Sequence, residues 1–288
     1  MAPPASEHFR LEQVGERAWA AIAVESGGAV ANAGVVDLGG SALVFDTFFT
    51  PAAAADLKAA AEELAGPIAH AVVSHGHTDH YGGAQVFAST PLVATERTRE
   101  LIAETGPERL ESLRAQIPDY LGELEAEGAP EQERAQARVV AAELPQMQIT
   151  LPTETFDERV ALDGAELVTL GGGHTESDAF LWLPDERVLF AGDLVSVESH
   201  PNLLHGDPDE WLRILGKLEA LAPKRVVPGH GPVGGPEAIT AVAGYIRTLK
   251  RLAAEEGEPE LPEACAGWGF ADGFELNVAF LRDRALAR

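Results

Sequence analysis

The chain has 288 residues, enough for one large domain or two small ones, and 45% of them are apolar, so a sizeable core can form. The formal net charge of -25 argues against a nucleic-acid partner: such a surface repels phosphate backbones, and arginines such as Arg97 and Arg99 are interleaved with carboxylates. The lone cysteine, Cys265, excludes an intramolecular disulfide and a cysteine-based zinc site. The polar start from Met1 to Arg10 lacks a signal-peptide pattern and no apolar run reaches membrane-span length, so no membrane partner is expected and the default location is the cytoplasm.

In chain order, residues 19–24, 34–38 and 41–45 read as short strands, punctuated by Gly27-Gly28 and Gly39-Gly40. Thr50-Pro51 is a helix cap with proline at the first helical position; the Ala-rich stretch to Ala65 is the helix, and Gly66-Pro67 ends it. Residues 68–74 form a buried strand that stops where a run of histidines begins, and 91–94 form another. The segment 96–144 changes character. It is rich in Glu, Arg, Ala and Gln, with Leu110, Leu113, Ile117, Leu121 and Leu124 at helical spacing, and predicts two or three helices broken near Gly106-Pro107, Pro118 and Gly128-Ala129-Pro130.

Strands resume near Phe156 and continue at 166–170, 179–183 and 188–190, the last two joined by the turn Pro184-Asp185-Glu186-Arg187. Asp207-Pro208-Asp209-Glu210 opens a helix whose inner face carries Trp211, Leu215 and Leu218; residues 225–227 form a strand and 236–256 a long helix. The tail from Leu261 holds Trp268, Phe270, Phe274 and Phe280, an aromatic load that predicts a packed tail. The expected organisation is one domain over 1–288, with a helical insert at about 96–144 and a C-terminal extension at about 257–288.

The chemistry concentrates in Ser74-His75-Gly76-His77-Thr78-Asp79-His80-Tyr81-Gly82-Gly83. Side chains two apart in an extended segment project to one side, so His75 and His77 can grip one metal; Asp79 and His80, past a sharp turn, can face a second. Imidazole and carboxylate suit zinc, iron or manganese. These four cannot complete two sites. Three further ligand-type residues follow strand ends and glycines: His174 after Gly171-Gly172-Gly173, Asp193 after Gly192, and His230 within Pro228-Gly229-His230-Gly231-Pro232.

The order His-x-His-x-Asp-His, Gly-Gly-His-Thr, Gly-Asp, Pro-Gly-His-Gly closely resembles the metallo-β-lactamase fold superfamily, over residues from about Ala20 to Pro236. That resemblance implies an α/β fold, a four-layer αβ/βα sandwich with metals at one edge of two sheets. It implies two zinc ions, with iron or manganese as alternatives: His75, His77 and His174 on the first, Asp79, His80 and His230 on the second, and Asp193 bridging both. Asn32 and Asp46 then stand where the family often has polar residues supporting the site, and Asp46 is expected to orient a histidine, with a capping role near Thr50 as its rival.

The mechanism implied is attack on an electrophilic carbonyl by a metal-bridging hydroxide, with Asp79 orienting the nucleophile and passing its proton. An aspartate at 193 resembles the thioesterase and lactonase branches, since members that cleave β-lactams generally have Cys or Ser there. The expected activity is therefore hydrolysis of a carboxylic ester, thioester or lactone in a small-molecule substrate. A β-lactam hydrolase, or a di-iron redox or sensor module on the same ligands, is the alternative. Tyr81, His200 and His205 are expected to line the substrate pocket without ligating metal. The helices of 96–144 have more apolar positions than a solvated helix requires; they must cover the cleft, the domain body or a second subunit of a homo-oligomer, and a wall or lid over the pocket is expected.

Overall fold

The computed structural model describes residues 5–286; of the polar start from Met1 to Arg10, the first four residues lie outside them. Strands β1 (Phe9–Gln13), β2 (Ala18–Ala23), β3 (Ala33–Asp37) and β4 (Ala42–Phe45) form an antiparallel meander. Helix α1 (Pro51–Ala65) carries the chain back so that β5 (Ile68–Val72) lies parallel to β4. The one-turn helix α2 (Thr78–Tyr81) precedes β6 (Leu92–Thr95), and helices α3 (Glu96–Ala126) and α4 (Glu131–Glu143) precede β7 (Glu154–Phe156), which completes a seven-stranded sheet in the order β1 to β7.

The second sheet contains β8 (Arg159–Leu162), β9 (Ala165–Thr169), β10 (Ala179–Leu183) and β11 (Val188–Ser196) as antiparallel neighbours. Helix α5 (Pro208–Ala220) crosses over to β12 (Arg225–His230), which lies parallel to β11. Helices α6 (Pro236–Ala254) and α7 (Gly273–Leu286) follow.

The layering is written in the alternation of side chains. In β4, Ala42 and Val44 join the apolar cluster of Leu57 and Ala61 from α1, while Leu43 and Phe45 join Leu181 and Phe190 of the other sheet. In β10, Phe180 and Trp182 pack with Trp211 and Ile246 of α5 and α6, while Ala179, Leu181 and Leu183 face inward. Strands covered on both faces have no polar side to show, which is why β4 and β10 read as unbroken apolar runs. Helix, sheet, sheet and helix thus enclose three apolar layers, giving the four-layer αβ/βα sandwich. Each wholly buried Leu or Phe contributes about 1.5–3 kcal/mol relative to an exposed one.

The caps behave as the sequence predicts. Thr50 accepts from the amide of Ala53 with Pro51 at the first helical turn, and Asp207 accepts from the amides of Asp209 and Glu210. The segment 96–144 departs from expectation: α3 runs uninterrupted through Pro107 and Pro118, and the only break is at Gly128-Ala129-Pro130. The two prolines are eleven residues apart, three helical turns, and both lie on the exposed face. The carbonyls that lose their helical partner, at Ala103 and Arg114, belong to exposed residues, where water can take its place. Leu110 is buried with Phe49, Val140, Leu144 and Met147, with Leu113 and Ile117 against them, so α3 and α4 share a small core of their own; Tyr120 stays exposed. Strands β1 and β8 are short and carry exposed polar residues, and the sequence reading did not separate them from loop; β7 ends at Phe156, where strands were expected to resume.

The aromatic tail is packed, as expected. Phe274, Val278 and Leu281 of α7 lie in the α5–α6 core. Asn277, fully buried, accepts from the Leu203 amide at 2.9 Å and donates to the Pro201 carbonyl at 2.7 Å, so α7 holds the loop that follows β11. No described helix is long and apolar enough to cross a membrane. Replacing Asn277 by Leu leaves two buried backbone groups without partners; a loss of about 2–3 kcal/mol is expected, read as a lower urea midpoint with an unchanged slope.

Candidate metal centre

The ligand-type residues sit where strands of both sheets end. His75 and His77 follow β5, with Asp79 and His80 on α2; His174 lies on the β9–β10 loop, Asp193 within β11 and His230 at the end of β12. Their donor atoms form two groups, each within 4.8 Å: His75, His77, His174 and Asp193 in one, and Asp79, His80 and His230 in the other. Asp193 touches both. Its Oδ2 is 3.2 Å from His174 Nε2 and 3.7 Å from His75 Nε2; its Oδ1 is 3.1 Å from His80 Nε2 and 3.4 Å from His230 Nε2. Asp79 Oδ2 lies 3.3 Å from His230 Nε2.

Neighbouring groups fix which nitrogen each imidazole presents. Asp46 Oδ1 accepts from the Ser74 amide at 2.7 Å, and its Oδ2 accepts from the Ser74 hydroxyl and from His80 Nδ1, both at 2.8 Å. Having given its proton to Asp46, the Ser74 hydroxyl accepts from His75 Nδ1 at 2.9 Å. One carboxylate therefore turns Nε2 of His75 towards one group and Nε2 of His80 towards the other. The orienting role expected of Asp46 is the one the hydrogen bonds describe; Thr50 caps α1 with its own hydroxyl.

His174 Nδ1 donates to the Asn202 carbonyl at 3.0 Å, leaving Nε2 bare, 2.8 Å from His77 Nδ1. His77 Nε2 lies 3.0 Å from His205 Nδ1, so its Nδ1 is the nitrogen that faces the group. Asn32 ties the sheets together beneath His230: it accepts from the Ala23 amide and donates to the Pro228 and Gly231 carbonyls. Gly229 cannot be replaced cheaply, because a Cβ there would lie 1.9 Å from Asp193 Oδ1.

His75 Nε2, His80 Nε2 and Asp193 Oδ1 are buried without a hydrogen-bond partner. Leaving such atoms unpaired costs about 1–3 kcal/mol each, and a divalent cation is the group that satisfies converging imidazole nitrogens and carboxylate oxygens together. The residues present fit metal binding. Burial holds the imidazoles of His75 and His77 well below the ordinary histidine pKa, the neutral form a ligand needs. Burial is the largest single influence on His80 and His230 and opposes their charge, but the carboxylates together outweigh it, Asp193 foremost, with Asp46 and Asp79 at His80 and Asp79 at His230; His80 is raised and His230 reaches about 10. Burial would raise Asp79 and Asp193, yet His80 and His230 hold both carboxyls low.

A cavity of about 470 Å³ opens onto the cluster at His77, Asp79, Asp193 and His230. His200 and His205 line it, and neither belongs to the ligand groups. His200 hydrogen-bonds the Tyr245 hydroxyl at 2.7 Å. Tyr81 lies elsewhere, contrary to expectation. It is 1% exposed and packs in the α1 core with its hydroxyl against Gly106, because the turn of α2 that presents Asp79 and His80 to the cluster points Tyr81 inward. The α3 residues Arg109 and Leu113 line the cavity, so the helical segment is one of its walls.

Sequence reasoning missed Asp178, whose carboxylate accepts from the amides of Gly173, His174 and Thr175 and so shapes the loop that presents His174. Its place four residues beyond that histidine was the available signal. Arg109, Phe49 and Phe270 carried no local signal, since only tertiary packing brings them to the cavity.

Sandwich and site together define a class: an α/β protein that gathers histidines and carboxylates from the ends of two sheets into a metal-binding edge. The family model of the metallo-beta-lactamase superfamily matches residues 26–230, and the chain belongs to that family. It is 40% identical over 87 residues to a metallo-beta-lactamase type 2 of Bacteroides fragilis, a match covering 28% of this chain and 35% of that protein. It is also 40% identical over 75 residues to a beta-lactamase-like protein 2 homolog of Caenorhabditis elegans, covering 26% of this chain and 25% of that one. The chain thus spans about a third or less of the length of these curated relatives. Among solved structures, DIM-1 metallo-beta-lactamase superposes with TM-score 0.62 at 19% identity over 84% of this chain and 98% of its own. A metallo-beta-lactamase from Pontibacter korlensis superposes with TM-score 0.61 at 20% identity, over 83% and 99%. At such identities these structures establish the fold.

Two measurements probe the site. Asp46→Ala frees the tautomers of His75 and His80, and metal affinity is expected to fall by about 10- to 100-fold, read by competition with a chromophoric chelator. Metal added to metal-free protein at pH 8 displaces the protons that His80 and His230 hold, so proton release in weakly buffered solution is expected, with affinity rising with pH.

Proposed function

We propose that the chain is a dinuclear metal-dependent hydrolase that cleaves a carboxylic ester, thioester or lactone in a small-molecule substrate. The observation that carries this reading is Asp193, buried, with one oxygen turned to each ligand group. Two bound cations, zinc or alternatively iron or manganese, would supply water acidic enough to act as a nucleophile at neutral pH and would polarise the scissile carbonyl.

The chain's own residues do the rest. His75, His77 and His174 would hold one cation and Asp79, His80 and His230 the other, with their ring orientations set by Ser74, Asp46, Asn202 and His205. Asp79 lies on the cavity wall with its carboxyl held in the charged form, so it can accept a hydrogen bond from the attacking water and orient it. Phe49 and Leu113 give the cavity an apolar side that can receive the organic part of a substrate and displace water. The α3–α4 segment serves as a wall that selects a partly apolar substrate.

β-Lactam hydrolysis is the second reading, favoured by the stretch shared with the Bacteroides fragilis metallo-beta-lactamase. The aspartate at 193, where β-lactam-cleaving members generally have Cys or Ser, supports the ester, thioester and lactone reading instead. Metal analysis of the purified protein, joined to a panel of lactone, thioester, ester, lactam and phosphodiester substrates, separates them. Visible absorbance from bound iron without turnover would favour a redox or sensor module.

His77→Ala and Asp193→Ala are each expected to abolish hydrolysis while circular dichroism stays native, because the sheets have their own cores. Turnover within about tenfold of the unmodified protein, roughly 1.4 kcal/mol in barrier, would contradict the assignment.

A further inference from the structure

We infer that the substrate carries a carboxylate on an apolar arm, and that Arg109 of α3 reads it; this rests on the hydrolase reading above. Arg109 is half-buried on the cavity wall. Its Nη1 donates to the Gly76 carbonyl at 3.1 Å, and Gly76 stands between the ligand-type residues His75 and His77. That bond fixes the guanidinium beside the metal-binding edge. Among the described residues it is the one hydrogen bond that the Arg109 side chain makes, so Nε and Nη2 keep their donors for something else.

The other arginines of α3 are already engaged. Arg97 pairs with Glu100, Glu104 and Glu176, and Arg99 with Glu96. Arg114 donates to the Leu144 and Met147 carbonyls. In a chain with 46 Asp and Glu and only 21 Lys and Arg, an arginine that faces a cavity with no carboxylate partner stands out. Among the described residues, no Asp or Glu lies in ion-pair reach of it.

The cavity around it sorts its charges. Among the described residues, Asp79 and Asp193 are the carboxylates lining it, both belonging to the ligand cluster, and Arg109 is the one Lys or Arg on its wall. A planar fork with free donors matches a carboxylate, and one cation matches one negative charge. Leu113 is one turn beyond Arg109 on the same helix face, and Phe49 and Phe270 line the same cavity. One helix therefore presents a charge for the acid group and an apolar surface for the arm.

The rival role for Arg109 is a staple that merely holds α3 to Gly76. A staple serves every substrate equally, whereas a reader discriminates. Metal-loaded protein is assayed with two thioesters that share an acyl arm and differ only in ending in a carboxylate or a carboxamide. The carboxylate is expected to have about 10- to 100-fold higher kcat/KM, the range of a charge-assisted hydrogen bond. Arg109→Gln is expected to erase that preference through KM, and Arg109→Lys to keep part of it. Equal kcat/KM for the pair, a preference that survives in Arg109→Gln, or an equal loss on both substrates would overturn the proposal.

Calorimetric binding of the two corresponding non-cleavable amides gives a readout independent of turnover. If no ester, thioester or lactone is cleaved, tighter binding of the carboxylate amide that vanishes in Arg109→Gln upholds the role of Arg109 while the hydrolase reading falls. Equal binding of the two amides overturns the role of Arg109 itself.

Discussion

An imidazole offers a lone pair only from the nitrogen that carries no proton, and among the seven ligand-type side chains crowded here His75 and His80 lie too deep for water to correct a wrong choice. The carboxylate of Asp46 settles the matter for both groups at once. Bonded to His80 directly and to His75 through the Ser74 hydroxyl, it places both Nδ1 protons on the side away from the cluster. Its backbone adopts φ +63, a left-handed value that aspartate tolerates better than most residues. The turn is held by the Asp46 amide donating to the Val72 carbonyl at 2.9 Å, which ties the end of β4 to the end of β5. Strand register and histidine tautomer are one arrangement.

The second sheet supplies the remaining ligands, so the centre exists only while the two sheets keep their relative position. The apolar layer between them does that, with Phe45 against Phe190 at 6.0 Å between ring centroids. Polar stitches then refine the alignment at the edge: Asn32, just before β3, bonds to the end of β12 that carries His230, and the Asn32 amide donates to the Gly229 carbonyl at 2.7 Å. Packing sets the distance, and hydrogen bonds set the angle.

Around this centre the walls come from parts of the chain without ligand motifs. The α3–α4 segment contributes Arg109 and Leu113, and the C-terminal stretch contributes Phe270 and, through Asn277, the seating of the loop that bears His200, Asn202 and His205. Asn202 and His205 in turn touch His174 and His77. Residues beyond 230, where the family model ends, thus bear on the orientation of ligands inside it. Chemistry at strand ends and selectivity in the surrounding segments is the usual division of labour in layered α/β proteins.

Local sequence determined much of this protein. The apolar runs of β4, β5 and β10, the caps Thr50-Pro51 and Asp207-Pro208, and the seven ligand-type residues at strand ends were legible because each rests on neighbours a few residues away or on a spaced motif. Tertiary structure decided the rest. Whether Pro107 and Pro118 broke α3 depended on which face met water, and that face exists only once the helix is packed. Tyr81 and Asp79 are two residues apart, yet one points into the core and the other at the cluster, because the turn of α2 rotates them apart. Arg109 and Phe270 acquire their places from contacts that local sequence does not encode: a helix laid across Gly76, and a C-terminal segment folded back over the end of the sheet.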